Sequence, residues 1–235
     1  MRQPLRVYLA SPANQLQAHI VREMPVLMSF AVAKHHTGRW LDHALPSFSR
    51  LLIDSGAYSE LSGRVTIDLD EYLEWAARIT WADAFAGLDD ISGDWKRSLS
   101  NYERGGFPTF HDSDPDELLP DLIDLARARG GWIGLGLIPP RQGKERWLRE
   151  TLDRIPDELH VHGWALRLYA HLSRLDSIDS TNWLRDAMKL SAHPLLTHLT
   201  LGETLEIIAA RYRRIGRAPD SETHNRQTSL DLEVY

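Results

Sequence analysis

The sequence predicts an α/β fold, and specifically a compact (β/α)8 barrel of the TIM type. Three observations lead to this prediction. Short apolar segments alternate with amphipathic stretches, there are about eight such segments, and the 235 residues are close to the ~250 of a typical barrel. Strict alternation of strand and helix predicts parallel strands with right-handed crossovers. The count of segments favours a closed barrel over an open doubly wound sheet.

The predicted strands are apolar, β-rich runs that each lead into turn or cap residues. They cover residues 6–10, 26–32, 51–54, 84–89, 108–111, 132–137, 159–165 and 177–179. The predicted helices cover residues 14–23, 70–79, 116–129, 144–153, 181–190 and 203–214. Asp68 stands at a helix N-cap position, and Asp114 combines a cap with the following proline. The pair Gly130-Gly131 is typical of a helix end.

The organisation expected from these patterns is one barrel domain over residues 1–217, which includes the extra C-terminal helix, and a polar tail at 218–235. No apolar run approaches the ~20 residues of a membrane span, and the first residues lack the apolar core of a signal peptide. We therefore expect a cytoplasmic protein without a membrane partner. The sequence does not indicate an oligomeric state.

Composition excludes several chemistries. Cysteine is absent, which excludes disulfides, thiol catalysis and thiolate metal sites. The formal charge of −6 does not by itself indicate a nucleic-acid binder, because such domains usually carry excess Lys and Arg. Basic clusters occur at 95–104, 141–149 and 211–217, and each is also typical of a solvated helix face.

Polar or small residues follow the carboxyl ends of the predicted strands, where the active sites of barrels lie. They are Asp54, Ser55, Asp89, Asp90, His111, Asp112, Gly136, His162, Gly163 and Asp179. Capping alone would explain any single acid, such as Asp179 before the helix at 181–190 or Asp90 before Ser92. Three strands that end in aspartate favour an active site over capping alone, because helix caps do not require the three acids to converge at one barrel mouth. Paired carboxylates suit glycosidic chemistry, in which one attacks or stabilises the anomeric carbon and the other exchanges a proton.

An alternative is a metal site. His160 and His162 form an H-x-H pair that points both imidazoles to one side of a strand, as in metal-dependent barrel hydrolases that add a late aspartate. Asp179 would be that aspartate. No further ligand stands out beside the pair, so this interpretation is the less favoured one.

Several segments resemble the tRNA-guanine transglycosylase family, including its DNA-acting 7-deazaguanine relatives and short phage-borne members. Residues 54–59, Asp-Ser-Gly-Ala-Tyr-Ser, resemble the family's Asp-Ser-Gly-Gly-Phe-Gln. The acidic strand at 88–90, the Phe-His segment at 108–111, the Ile-Gly-Leu-Gly strand at 133–136, the Val-His-Gly strand at 161–163 and the ending at 177–183 resemble segments of the short members. The matches run in order over roughly residues 50–190.

The resemblance implies a (β/α)8 barrel that breaks the bond between a nucleobase and its sugar. It implies Asp179 as the nucleophile, Asp54 as the general acid/base and Asp89 as the residue that binds the base edge. Tyr58 would stack on the base, and Gly163 would let the base approach the backbone. The remaining substrate-binding candidates at the barrel mouth are Ser55, Gly56, Asp90, His111, Gly136 and His162.

Departures from the family pattern modify these expectations. Ala57 and Ser59 replace a glycine and a glutamine, and the cysteine-rich zinc subdomain of the tRNA enzymes has no counterpart here. We therefore expect no metal or cofactor, and DNA rather than tRNA as the substrate. The expected activity is base excision or base exchange in DNA, in conflict between phage and host. Expected contacts to the DNA backbone are Lys96, Arg97, Arg141, Lys144 and Arg146. A non-catalytic nucleic-acid-binding barrel is a further alternative.

Overall fold

A computed structural model describes residues 4–36, 40–63, 65–138, 143–193 and 198–215. Within them, eight parallel strands form one curled sheet in the order β4-β3-β2-β1-β8-β7-β6-β5. The strands are β1 Arg6–Ala10, β2 Pro25–Ser29, β3 Arg50–Asp54, β4 Ala84–Phe85, β5 Thr109–His111, β6 Trp132–Gly136, β7 His160–Gly163 and β8 Ser177–Ser180. The prediction of an eight-stranded parallel α/β fold is confirmed.

Helices alternate with these strands. They are α1 Gln15–Val21, α2 Phe30–Ala33, α3 Trp40–Ala44, α4 Ala57–Leu61, α5 Leu69–Ala77, α6 Trp95–Arg104, α7 Leu118–Ala128, α8 Glu145–Arg154, α9 Asn182–Ser191 and α10 Leu201–Ile215. The predicted extra C-terminal helix is present as α10, which packs against α9 and α1. The predicted tail at 218–235 lies outside the described residues. Among the described helices, none has both the length and the apolar character needed to span a bilayer.

The two edge strands of the sheet, β4 and β5, meet without forming a ladder. A single parallel bridge joins Ala86 to Phe107. The Phe107 N–H donates to the Phe85 carbonyl at 2.9 Å, and the Gly87 N–H donates to the Phe107 carbonyl at 2.8 Å. The sheet is therefore TIM-like in its curl and strand count, but the closed ladder of the predicted barrel is not formed.

Local sequence explains this incomplete seam. The backbones of Gly106 and Gly87 approach so closely that a Cβ on Gly106 would collide with Gly87, so position 106 cannot carry a side chain beside the seam. Pro108 follows directly and has no N–H to donate to a neighbour. These features shorten β4 to two residues, whereas the sequence analysis expected a strand over 84–89.

Other predicted boundaries were wrong where a strand turns directly into a helix. The expected strand at 26–32 ends at Ser29, because Phe30 begins α2 and packs on Tyr72 and Trp75 with ring centroids 5.5 and 5.3 Å away. Helix α6 was not predicted, since its sequence is dominated by charged and polar residues. Its N-cap is Asp94, whose carboxylate accepts the Arg97 N–H at 3.1 Å.

The core has two layers, one on each face of the sheet, as expected for parallel strands buried on both sides. The inner layer contains Tyr8, Leu27, Leu52 and Phe107. Phe107 stacks on Trp164 with ring centroids 6.0 Å apart. This apolar layer lies inside the curled sheet, and buried polar side chains such as Thr109 and His162 pack among its members.

Candidate active site

Strand alternation brings the predicted carboxylates to one face and one end of the sheet. Leu52 belongs to the inner layer, and Asp54, two residues further along β3, points to the same side. Ser177 on β8 contacts the buried ring of His162, and Asp179 follows it with the same orientation. Both aspartates occupy the carboxyl ends of their strands. The structure thus brings the two predicted catalytic residues to one end of the sheet.

Asp54 lies in an environment that favours the protonated carboxyl. Burial raises the pKa of Asp54 to about 7, and the negative charges of Asp89 and Asp179 contribute to the rise. Hydrogen bonds from Ser29 and from the Gly56 N–H oppose it. Ser29 is opposite Asp54 in the β2 and β3 pairing. A carboxyl group with a pKa near 7 can both donate and accept a proton at neutral pH.

Gly56 allows the tight turn from β3 into α4. Its φ is +93°, and a Cβ at this position would lie 2.6 Å from the Ala31 Cβ. Only glycine fits this conformation without strain. The neighbouring Ser55 is buried, and its hydroxyl has no hydrogen-bond partner among the described residues. Tyr58, on the first turn of α4, is 60% exposed.

Asp179 has one carboxylate oxygen held by protein groups. Its Oδ1 accepts the Ala165 N–H at 2.7 Å and lies 3.5 Å from His162 Nε2. Ala165 has a φ of +52°, which is unusual for a residue other than glycine. The side chain does not cap α9, because the N-cap residue is Thr181. Capping therefore does not account for Asp179.

Asp89 is paired with a buried histidine. His111 Nε2 lies 3.1 Å from Asp89 Oδ2, and His111 Nδ1 lies 3.5 Å from Asp114 Oδ2. Burial lowers the pKa of His111, but hydrogen bonds to Asp114 and Asp89 outweigh this effect and raise the pKa to about 10. His111 is therefore a cation at neutral pH. A Cβ on Gly136 would collide with the His111 ring, so the glycine makes room for it.

Asp114 was expected to cap the following helix, and this prediction was wrong. Its Oδ2 accepts the backbone N–H of His111 at 2.7 Å, and α7 begins after Glu117 without a side-chain cap. The carboxylate turns back because the histidine offers it two donors, the ring and the backbone amide. Sequence spacing alone does not distinguish this turn from a helix cap.

Both histidines of the β7 pair lie within hydrogen-bond distance of one serine. His160 Nε2 and His162 Nδ1 each lie 2.8 Å from Ser177 Oγ. His160 stacks on Trp132 with ring centroids 3.6 Å apart, and burial lowers its pKa to about 3. Within the part of the chain that the structure describes, no group of three or more potential ligands is placed to hold a metal ion.

A pocket of about 240 Å³ opens beside Asp89. Its lining residues are Ala57, Glu60, Leu61, Leu88, Asp89, Asp90, Ile91, Ser92, Arg97 and Asn101. Asp90 forms local contacts there, since it accepts the Ser92 N–H at 2.9 Å and pairs with Arg97 at 3.2 Å. Gly163 faces the Leu166 side chain. A Cβ added at Gly163 would lie 2.9 Å from Leu166 Cδ1.

The predicted contacts to a DNA backbone differ in their surroundings. Lys144 pairs with Asp112 at 2.8 Å, and Arg146 pairs with Glu150 at 2.7 Å. Lys96 is exposed and lies over the Trp95 ring, with Nζ 5.5 Å from the ring centroid. Arg141 lies outside the described residues.

Three site residues were not singled out from the sequence as parts of a site: Ser29, Asp114 and Ala165. Ser29 ends β2 just as Asp54 ends β3, but the apolar sequence continues through residues 30–33, so no break in the pattern marked it. The role of Ala165 depends on a backbone conformation that no residue pattern indicates. The sequence matches no protein-family model, and it matches none of the curated proteins with which it was compared.

Proposed function

We propose that this protein cleaves the N-glycosidic bond of a nucleobase in DNA, with Asp179 as the nucleophile and Asp54 as the general acid/base. One observation carries the proposal. Two carboxyl groups share one end of the sheet and differ in their contacts: burial raises the pKa of Asp54 to about 7, whereas Asp179 Oδ1 accepts the Ala165 N–H at 2.7 Å and Oδ2 is left to react. Pairs of acids with divergent environments are typical of acid and nucleophile roles.

The proposed reaction proceeds in two steps. Asp179 Oδ2 attacks the anomeric carbon of the sugar, the bond from that carbon to the base nitrogen breaks, and its electron pair goes to the base. Protonated Asp54 donates its proton to the departing base. Asp54, now ionised, then accepts a proton from water or from an incoming base, which attacks the same carbon and releases Asp179. Water completes base excision, and a second base completes base exchange.

The surroundings of Asp89 support a role in base recognition. The Asp89 carboxylate accepts from cationic His111 at 3.1 Å, and this pairing fixes its orientation without occupying all of its acceptor sites. Such a carboxylate suits N–H donors on the edge of a base. The exposed Tyr58 ring, on the helix that follows Asp54, would cover the face of an extruded base.

The curled eight-stranded sheet would then act as a (β/α)8 barrel of the transglycosylase kind, working on cytoplasmic DNA. We favour DNA over tRNA because the chain lacks the cysteines of the tRNA enzymes. A base-excising enzyme of this size suits defence against phages that carry modified bases. Nothing in the arrangement of the described residues favours the alternative of a metal-dependent hydrolase.

Mass spectrometry of released bases tests this function directly. The wild-type protein, Asp179→Ala and the surface control Asp121→Ala are each incubated with phage DNA that carries modified bases, with unmodified DNA and with tRNA. We expect a free base with the wild type and the control, and none with Asp179→Ala. Abasic sites in the DNA would identify excision, and incorporation of an added labelled base would identify exchange. Release of no base from any substrate, or equal release by Asp179→Ala, would refute the proposal.

A further inference from the structure

The ring of His162 is a buried polar group that the proposed reaction does not use. It is fully buried, and its Nδ1 lies 2.8 Å from Ser177 Oγ. Its Nε2 has no hydrogen-bond partner among the described residues but lies 3.5 Å from Asp179 Oδ1. Native proteins rarely leave such a buried nitrogen unpaired. A movement of a few tenths of an ångström would bring it to hydrogen-bond distance.

Ser177 lies between the imidazole rings of His160 and His162, and its hydroxyl limits which ring nitrogens can carry a proton. Its Oγ lies 2.8 Å both from His162 Nδ1 and from His160 Nε2. A serine hydroxyl has one hydrogen, so it donates to one ring and accepts an N–H from the other. Burial lowers the pKa of His160 to about 3, so His160 is neutral at physiological pH. Its neutral ring can supply the N–H that Ser177 accepts.

Two proton arrangements satisfy this geometry with neutral rings. In the first, His160 donates to Ser177, Ser177 donates to His162 Nδ1, and the His162 proton is on Nε2, directed at Asp179. In the second, every bond is reversed, and a lone pair on His162 Nε2 faces the Asp179 carboxylate. The second arrangement places two acceptors against each other. An ionised Asp179 therefore selects the first.

We propose that His162 is a positioning residue for Asp179. The His162 Nε2–H donates to Asp179 Oδ1, and Ser177 and His160 hold the His162 ring in this tautomer. Together with the Ala165 N–H at 2.7 Å, this donor fixes Oδ1 and leaves Oδ2 to react. The ring has little freedom to rotate, since it contacts Trp164 at 4.4 Å and Tyr8 at 6.0 Å between centroids. The consequence for catalysis rests on the proposed function, whereas the donor contact does not.

Nitrogen NMR of the full chain tests the tautomer without any substrate. Histidine is labelled with ¹⁵N, and long-range proton–nitrogen spectra distinguish protonated from unprotonated ring nitrogens. The His162→Gln and His160→Gln variants assign the two rings by loss of signals. We expect His162 to carry its proton on Nε2 only, and we expect this proton resonance to move upfield in Asp179→Ala. An unprotonated Nε2, protons on both nitrogens, or an unmoved resonance in Asp179→Ala would overturn the proposal.

Kinetics test the positioning role. Glutamine at position 162 retains an amide donor close to the place of Nε2, whereas leucine of similar size has none. We expect His162→Leu to lower kcat for base release on the order of 10²-fold with little change in KM, and His162→Gln to recover most of the loss. Equal activity of the two variants would overturn the role, provided that thermal unfolding shows both to be folded.

The two proposals can fail separately. If the NMR result is as expected but no nucleic acid yields a base, the donor contact stands and the proposed function fails. If bases are released but His162 Nε2 is unprotonated, the function stands and the positioning role fails.

Discussion

Replacing Asp54 by asparagine tests the environment on which the proposed acid/base role depends. In the folded protein burial raises the pKa of Asp54 from 3.8 to about 7. This rise of roughly three pK units corresponds to about 4 kcal/mol. Because the folded pKa is the raised one, the associated stability is fully present below the unfolded pKa of 3.8 and is lost as the pH rises through about 7.

The Asp54→Asn variant does not ionise, so it escapes this loss. Between pH 5 and pH 8.5 roughly two of the three pK units are crossed, and the stability of the variant relative to wild type should increase by about 3 kcal/mol. A weaker hydrogen bond from the variant to Ser29 or to the Gly56 N–H would change its relative stability by about 1 kcal/mol at both pH values. The change in relative stability between the two pH values would stay the same.

Urea unfolding at the two pH values measures this difference. Asp121→Asn, an exposed acid on α7, is the matched control and should show the same stability relative to wild type at both. If the free-energy difference between Asp54→Asn and wild type does not change with pH, Asp54 is not a buried carboxyl group with a raised pKa. The acid/base assignment would then lose its physical basis.

Three further predictions concern the rest of the site. Gly136→Ala should destabilise the fold by about 1–3 kcal/mol, because the new methyl group collides with the His111 ring. Gly202→Ala should not, because its methyl group would meet only Thr200 Oγ1 at 3.8 Å, and urea unfolding compares the two variants. His111 should remain cationic from pH 6 to pH 9, since its pKa is raised to about 10; a proton NMR titration with a step in this range would contradict the pairing. Lys96→Ala should reduce the slope of log affinity for duplex DNA against log salt concentration by about 0.9. Arg146→Ala, which loses an already paired cation, should change this slope less. If Lys96→Ala and wild type have equal slopes, contact by Lys96 is refuted.

Much of the fold could be predicted because each strand has a local signature. The apolar runs of β1 and β6 begin at the predicted residues, and β3 ends in the predicted aspartate. The seam between β4 and β5 could not be predicted, since it depends on how closely Gly106 approaches Gly87. That approach is a tertiary contact between segments with no shared sequence pattern. Helix α6 was not predicted for a different reason, because its buried side has few apolar residues.

The site was predictable in its positions but not in its environments. Strand periodicity is enough to place Asp54 and Asp179 at the same end of a parallel sheet. The raised pKa of Asp54 depends on burial by residues far apart in sequence, which periodicity does not report. The sequence also assigned Asp114 to a helix, because an aspartate before proline matches a cap whether its carboxylate turns forward or back.

The charge distribution at this end of the sheet bears on how an acidic protein would act on DNA. Asp89 and Asp179 both interact electrostatically with Asp54, and on the proposed function their negative field would repel phosphate and stabilise positive charge that develops at an anomeric carbon. Cationic His111 offsets part of this field beside Asp89. On the proposed function, phosphate contact would come from cations outside the carboxylate cluster, and Lys96 is exposed and makes no ion pair with any described residue. The sugar would then, on the proposed function, lie in a negative field and the backbone against positive charge, which suits a target nucleotide that has left the duplex.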